Sequence, residues 1–486
     1  MVRRRRPDPI STRGGHPEPL ALWPHQERAI ANAVREKVRM WHYGMRTGKT
    51  RCAIEALERA GKKHALVLAP LSVAGVWPLQ LDKWAKQEWA SAVLDDRCGN
   101  SRAKAAQLEK ISRLSCPKLT IVNYDSVWRE PLASAIRRTP FDALVLDESH
   151  RCKAPGGKAA MYVSRMAQTI PMRLALSGTP MPHGPLDLYG QFRILDPRAF
   201  GTSFVSFRSK YAIIDARGGF PKIVGFRNQE ELAAIAGRYT DFADRSVLDL
   251  TPAVHSTIPI TLSPAARAAY DDLEENLSAQ VGNGIVTAEN ALVALIRLQQ
   301  LTGGTLPVED PWGNGATPTR VDEGKASALR EYLEDLPAHE RVVVFCNFTA
   351  DVARARAEAK EAGRTSLELS GQRHDVRGVW GPGPETVLVC QIKAGGIGID
   401  LSSAAYCFLY SVGFSLGDYE QALARIHGPD QKRHVAYDHA IARDTVDETV
   451  YGALRKKAQV VEYVVQHMKR SQETVAGDTN VRSPAA

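Results

Sequence analysis

No run of about 18 consecutive apolar residues occurs anywhere in this 486-residue chain, so no segment is suited to span a bilayer as a helix. The opening MVRRRRPDPISTRGG is basic but has no apolar segment behind it, which excludes a secretory leader as its reading. Seven cysteines, Cys52, Cys98, Cys116, Cys152, Cys346, Cys390 and Cys407, include no CxxC pair, so a structural zinc site is not expected. Scattered single thiols in a chain of this length read as reduced, which places the protein in a cytoplasm. An excess of acid is also lacking. Lys and Arg number 63 against 54 Asp and Glu, a formal charge of +9, which favours a polyanionic partner without identifying one. What remains is ordinary globular composition, 44% hydrophobic and 24% charged, at a length that suits roughly two to four domains.

The order of patterns along the chain suggests α/β architecture. Residues 1–19 are expected to form a basic tail without fixed structure. Within it Arg3 to Arg6 read as solvated, with an electrostatic arm on nucleic-acid phosphate as the alternative. From residue 20 to about 195, short apolar runs alternate with helical patterns: HALVLAP (64–70), KLTIVNY (118–124), DALVLDE (142–148) and RLALSGTP (173–180). Such runs suit strands buried on both faces, and the stretches between them suit crossover helices, so a parallel sheet covered on both sides is expected. Residues 196–302 carry more helical spacing, as in SPAARAAYDDLEENLSAQV (263–281) and ALVALIRLQQL (291–301), and read as helical additions to the first domain. The Gly- and Pro-rich stretch 303–320 reads as a flexible linker. A second α/β domain is expected over 321–470, with strands in RVVVFCN (341–347), ETVLVCQ (385–391) and YCFLYS (406–411) and a helix from about Val446 to Met468. Residues 471–486 are polar and expected to fray. No internal repeat relates the two halves.

GMRTGKT (44–50) lies between the apolar-rich KVRMWHYG and the helix-like KTRCAIEALERAG. A phosphate chain needs backbone N–H donors, a helix N-terminus, a lysine charge and a hydroxyl for a metal. Gly48, Lys49 and Thr50 supply the last turn of such a cradle, and the preceding Arg46 and Thr47 are further candidates for nucleotide contact. The strict GxxxxGK[ST] pattern fails, because Tyr43 stands at the first glycine position, and GKT by itself also fits an ordinary loop. ALVLDESH (143–150) supplies the complementary half: four apolar residues run straight into two carboxylates and a histidine. Carboxylates at the end of a buried parallel strand are expensive unless they hold a cation or water. Asp147 is expected to bind Mg²⁺, directly or through water and together with Thr50, while Glu148 activates the attacking water. His150 reads either as a surface residue or as a coupler of the two domains.

With these motifs the chain resembles helicase superfamily two, and within it the Swi/Snf-like DNA translocases, compact phage-encoded members above all. The resemblance covers about residues 20–458. LWPHQERAI (22–30) resembles the adenine-reading element, with Gln26 facing the base. LVLAPLSVAGVWPLQLDKW (66–84), with Pro70, Ser72 and Trp77, and TIVNYDSV (120–127), with Asn123 and Tyr124, resemble segments that contact nucleic acid. LSGTPMPHGPLDLYGQF (176–192) resembles the segment that links hydrolysis to those contacts, through Ser177 and Thr179. RVVVFCNFTADV (341–352) opens the second half. QIKAGGIGIDLSSA (391–404) carries Lys393 on the nucleic-acid side and Gly398 and Asp400 on the nucleotide side. DYEQALARIHGPDQKR (418–433) carries Gln421 and Arg425. The fold implied is two RecA-like α/β domains with parallel sheets and helical additions to the first. The implied ligands are ATP and Mg²⁺ between the domains and DNA, duplex favoured over single-stranded, across the opposite rim. A monomer is expected, and protein partners are not readable.

Three departures qualify the resemblance. Arg46 stands where the family usually has Gly, which implies an extra cation near the phosphates. The stretch 371–384 is short and rich in Pro and Gly, so a helix usual there looks reduced. The last motif normally carries a second arginine three residues after the first; here Gly428 occupies that place, and Asp430 stands where a glycine is usual. An arginine facing the γ-phosphate is worth on the order of 10³ to 10⁵ in rate. The expected function is therefore an ATP-driven motor on DNA. The alternatives are a nucleotide-gated DNA clamp with weak hydrolysis and an RNA helicase.

Overall fold

The computed structural model describes residues 10–13, 21–215, 222–276, 278–281, 284–287, 291–309, 316–376, 380–381, 383–393 and 399–480. The chain divides into two compact units, residues 1–247 with 459–486, and residues 248–458. The first unit contains β1 (Ile10–Arg13), β2 (Val38–Tyr43), β3 (His64–Ala69), β4 (Trp89–Leu94), β5 (Lys118–Asn123), β6 (Ala143–Asp147), β7 (Met172–Ser177), β8 (Ala212–Asp215), β9 (Lys222–Phe226) and β10 (Thr240–Ala243). Eight of them form one sheet in the order β1-β4-β5-β3-β6-β7-β2-β10. All its pairings are parallel except that of the edge strand β1 with β4.

The both-faces-buried pattern is explicit in β3. Leu66 and Leu68 join one core cluster with Leu144, Leu146, Leu108 and Phe192. Ala65, Val67 and Ala69 join the other, with Val145, Ile54, Leu57 and Trp41. Alternate side chains point to opposite faces of a strand, and helices cover each face here, so neither set is polar. Helix Pro24–Glu36 and helix Lys49–Arg59 bury Ala29, Ile30, Ala33, Ile54 and Leu57 against the second face.

The second unit contains β11 (Ala253–Ile260), β12 (Ser278–Val281), β13 (Gly284–Thr287), β14 (Thr305–Glu309), β15 (Ala316–Arg320), β16 (Val342–Cys346), β17 (Ser366–Leu369), β18 (Val387–Gln391), β19 (Tyr406–Leu409) and β20 (Val435–Ala442). Six form a parallel sheet in the order β11-β20-β19-β16-β18-β17. β12 to β15 form a separate antiparallel sheet. The expected class, α/β with a parallel sheet in each half, holds. Among the described residues no helix is long and apolar enough to cross a membrane.

Several local expectations change. Part of the basic tail, Ile10–Arg13, pairs with β4 as an edge strand, a backbone role that its arginines do not announce. Beyond residue 195 the first unit continues through the β8–β9 hairpin to β10, which extends the main sheet beside β2. Residues 248–302, expected as additions to the first half, fall in the second unit. The helical pattern of 263–281 stops at Asn276, and Ser278–Val281 is a strand. The linker stretch supplies β14 and β15, with Pro307 opposite Pro318. Proline removes ladder donors, so this pair reads as a loop from sequence. The last helix runs Val446–Asn480, past the expected end near Met468, and no proline interrupts it.

Candidate nucleotide-binding site

In the first unit β2 runs into the loop 44–48 and then into helix Lys49–Arg59. Gly48 caps that helix at φ 91°, and a Cβ there would meet the Gln26 amide nitrogen at 2.3 Å. Only glycine satisfies both constraints. Arg46 is also left-handed, at φ 66°, which costs an L side chain about 1 kcal/mol or more. Thr47 is buried, and its hydroxyl donates to the Gly44 carbonyl (2.8 Å). Lys49 Nζ donates to the carbonyls of Tyr43 (2.8 Å) and Gly44 (3.2 Å). Burial holds this ammonium below the ordinary lysine value, while Glu148 and Asp147 oppose that shift. Thr50 follows in the first helical turn, where N–H groups lack intrahelical partners.

Gln26, expected to face the base, is 2% exposed. Its Nε2 donates to the Thr47 carbonyl (3.1 Å) and its Oε1 accepts from the Trp23 amide (3.0 Å), so here it ties the entry segment to the phosphate loop. His25 Nε2 lies 3.2 Å from the same carbonyl, and the Tyr43 hydroxyl donates to the His25 carbonyl (2.8 Å). These supports of the loop were not singled out from sequence, because their partners lie about twenty residues away.

β6 delivers Asp147 and Glu148, with β7 between β6 and β2. Asp147 is buried, and its Oδ2 accepts from Trp77 Nε1 (2.9 Å). Burial and then the Glu148 charge push its carboxyl up to about 6, against Trp77 and Lys49. A divalent cation would reverse that cost, so the donor set fits Mg²⁺, which needs only one or two protein ligands beside phosphate and water. Glu148 adopts φ 52° at the turn that follows. His150 Nδ1 lies 3.1 Å from Ser177 Oγ and 3.4 Å from Glu148 Oε2. Ser177 Oγ accepts the Thr179 amide (3.1 Å), and the Thr179 hydroxyl is buried with no hydrogen-bond partner among the described residues. Gln191, also missed from sequence, accepts from the Ser149 hydroxyl (2.7 Å) and donates to the Pro180 carbonyl (2.7 Å). It fixes the acid turn to the loop after β7.

The residues expected on nucleic acid divide. Trp77, Asn123 and Tyr124 are buried. Trp77 positions Asp147, the Tyr124 hydroxyl donates to the Asp147 carbonyl (2.8 Å), and Asn123 Oδ1 accepts the Ser126 amide (3.1 Å). The Trp77 and Tyr124 side chains therefore support Asp147, whereas Asn123 holds the turn that follows its own strand. Pro70 is buried, Ser72 half-buried and Lys393 exposed.

In the second unit, Asp400 Oδ1 accepts the Ser402 amide (2.9 Å), and the Leu401 amide donates to the Arg425 carbonyl (3.2 Å). This places Asp400 and Arg425 beside one another. Gln421 is half-buried on helix Leu416–Ile426. Gly398 lies outside the described residues. The Gly428 carbonyl accepts the Gln431 amide (2.9 Å), and Gln431 Nε2 donates to the carbonyls of Ser402 (3.0 Å) and Ala404 (2.6 Å). Gly428 is buried in a fixed turn, so one arginine there meets packing as well as charge. Gly428→Arg with Asp430→Gly is expected to raise DNA-stimulated ATP turnover by about tenfold or more with little change in nucleotide affinity, since a transition-state cation acts on the rate constant. A brisk parental rate that the double variant leaves unchanged would mean that Arg425, Arg46 or another cation already fills this role.

A phosphate loop and an acid pair on strands of one parallel sheet, separated by the strand whose Ser-Gly-Thr end meets the acid turn, define a helicase-type nucleoside triphosphatase. The chain belongs to the SNF2-related domain family, whose model matches residues 31–302, more than half of its length. Putative protein p41 of Acyrthosiphon pisum secondary endosymbiont phage 1 is 26% identical over 477 residues, covering 92% of this chain and 98% of that protein. The mouse protein named DNA annealing helicase and endonuclease ZRANB3 is 22% identical over 483 residues, 94% of this chain, which spans 42% of the mouse protein. Among solved structures, the Sulfolobus solfataricus SWI2/SNF2 ATPase core in complex with dsDNA aligns over 93% of this chain and 95% of its own, at 19% identity and a TM-score of 0.42.

Proposed function

We propose that the chain is an ATP-driven motor that hydrolyses ATP with Mg²⁺ and moves along duplex DNA. The observation that carries this reading is the placement of Lys49, in the turn after β2, and of Asp147 and Glu148, at the end of β6, on the two strands that flank β7. Lys49 and the helix N-terminus bind the β- and γ-phosphates, and Gly48 lets the backbone approach them. Thr50 and Asp147 would hold the cation, and Trp77 orients Asp147. Bound Mg²⁺ would neutralise charge on the phosphoryl oxygens. Glu148 takes the proton of the attacking water on its carboxylate oxygen. The contacts from Glu148 through His150 and Ser177 to Thr179 carry the state of the acid turn into the loop after β7. In the second unit, Asp400 and Arg425, which lie beside one another, and Gln421 are assigned to nucleotide contact on the motif resemblance.

The name of the mouse relative, DNA annealing helicase and endonuclease, supports DNA as the track. The formal charge of +9 supports a phosphate-backbone contact. We further propose a monomer in a cytoplasm, the host's if the source is viral; similarity to the phage protein favours a viral source. Gly428 favours a second reading, a nucleotide-gated DNA clamp with slow hydrolysis. ATP turnover measured alone and with single-stranded, duplex and forked DNA and with RNA decides among these. Duplex DNA stimulation supports the motor, RNA stimulation replaces its track, and DNA binding gated by ATP without turnover supports the clamp.

Binding to DNA is expected to be electrostatic and nearly indifferent to sequence. If six to ten phosphates are contacted, affinity falls by about 10³ to 10⁵ between 50 and 200 mM salt. Fluorescence anisotropy on duplexes of unrelated sequence across that range checks this, and a salt-insensitive, sequence-selective complex counts against the motor.

A further inference from the structure

Outside the nucleotide site the first unit carries a concavity of about 560 Å³ between helix Leu132–Arg138 and helix Lys158–Met166. Lys158, Met161 and Arg165 follow one another at helical spacing, so they share a face. Met161, Met166 and Tyr162 give the hollow an apolar lining, and Trp128 and Arg137 close it from the neighbouring segment. Met161 is 36% exposed, an apolar side chain left in solvent beside three cations. Arg137 pairs with Glu130 at 2.8 Å. Lys158 and Arg165 have no carboxylate within ion-pair distance among the described residues.

The aromatic rings are already engaged. Lys158 Nζ lies 4.8 Å and Arg129 Cζ 5.3 Å from the Trp128 ring centroid. Arg137 lies 5.6 Å from that of Tyr162, whose hydroxyl donates to the Ala133 carbonyl (2.6 Å). Sequence-tolerant nucleic-acid sites rely on open aromatic faces for base stacking. Here cations lie over both rings, while the methionines offer a deformable apolar floor suited to a side chain. Lys158 and Arg165, with no ion-pair partner among the described residues, complement carboxylates at the rim.

We propose that this hollow is a docking site for a short acidic peptide segment of a protein partner that inserts one bulky apolar side chain against Met161 and Met166. Lys158 and Arg165 receive its carboxylates, and the peptide approaches without displacing the cations from Trp128 and Tyr162. This surface is separate from the residues assigned to nucleotide chemistry and does not depend on the motor reading.

The test uses the full chain and a fluorescein-labelled peptide, Asp-Asp-Glu-Asp-Leu-Phe, in anisotropy titrations. Companion probes replace Leu-Phe by Ser-Ser, replace the acids by lysines, or substitute a labelled oligothymidylate. Saturable binding of the first peptide is expected, at least about tenfold tighter than that of the Ser-Ser peptide. Lys158→Glu with Arg165→Glu should weaken it by about tenfold or more, since both attractions become repulsions. Met161→Gln, which leaves the charge untouched, should weaken it independently. Failure of the peptide to saturate, equal binding of the Ser-Ser peptide, or indifference to both substitutions overturns the proposal. So does oligothymidylate binding that the double substitution weakens tenfold while the peptide is ignored, since the hollow would then belong to nucleic acid.

Discussion

Replacement of Lys49 by alanine is expected to reduce ATP affinity by about a hundredfold. Two charge-assisted hydrogen bonds at about 1.5 kcal/mol each give that magnitude. In the structure Lys49 Nζ donates to the carbonyls of Tyr43 and Gly44, the loop's own oxygens, and bound phosphates would offer stronger acceptors in the same cradle. Because burial already holds the ammonium below its ordinary value, a nearby polyanion should strengthen its charge. Lys49→Met retains the side-chain volume and should lose affinity to a similar degree, which separates lost charge from lost packing. Calorimetric titration with ATP and Mg²⁺ measures both variants, with thermal melting as the folding control. Parental affinity in both would remove the lysine from the phosphate site and, with it, the main support for the motor.

Glu148→Gln is expected to leave ATP and Mg²⁺ binding nearly intact and to lower turnover by about 10² to 10⁴, the usual contribution of a positioned general base. The amide keeps the size of the side chain but has no basic oxygen pair. Removal of the Glu148 charge also has a defined consequence next door. That charge is the second cause, after burial, of the raised Asp147 value of about 6, so Asp147 should ionise at lower pH in the variant. Metal binding should therefore persist further into acid than in the parent, since the ligand must be ionised to hold the cation. An ATP-loaded complex that remains on DNA is expected as well. Steady-state turnover, nucleotide titration and Mg²⁺ titration at several pH values test the three parts. Normal turnover by Glu148→Gln would show that another group activates the water.

The sequence by itself determined the α/β class and the order of the motifs, because each is written in local spacing, and it marked the candidate loop and acid pair. Four apolar residues running into Asp147 and Glu148 mark a buried strand end wherever the strand lies. Gly48 before Lys49 marks a turn that only a glycine satisfies. Only the tertiary structure decided what stands around these groups. Trp77 lies 70 residues from Asp147 along the chain and donates to its carboxylate, and Tyr124 supports the same residue from another strand end. By motif they read as nucleic-acid contacts, because a segment's order in the chain does not reveal which side chains point inward. Gln26 turns to Thr47, and Gln191 joins Ser149 to Pro180, through hydrogen bonds whose partners spacing does not specify. Strand membership was equally hidden where the local pattern is weak. Ile10–Arg13 and the proline-bearing β14 and β15 are held by pairing with neighbours, and a strand's partner is a property of the fold. The division after Val247 is likewise set by which sheet a segment packs on: β10 extends the first sheet, β11 pairs with β20 in the second, and no composition change marks the step between them.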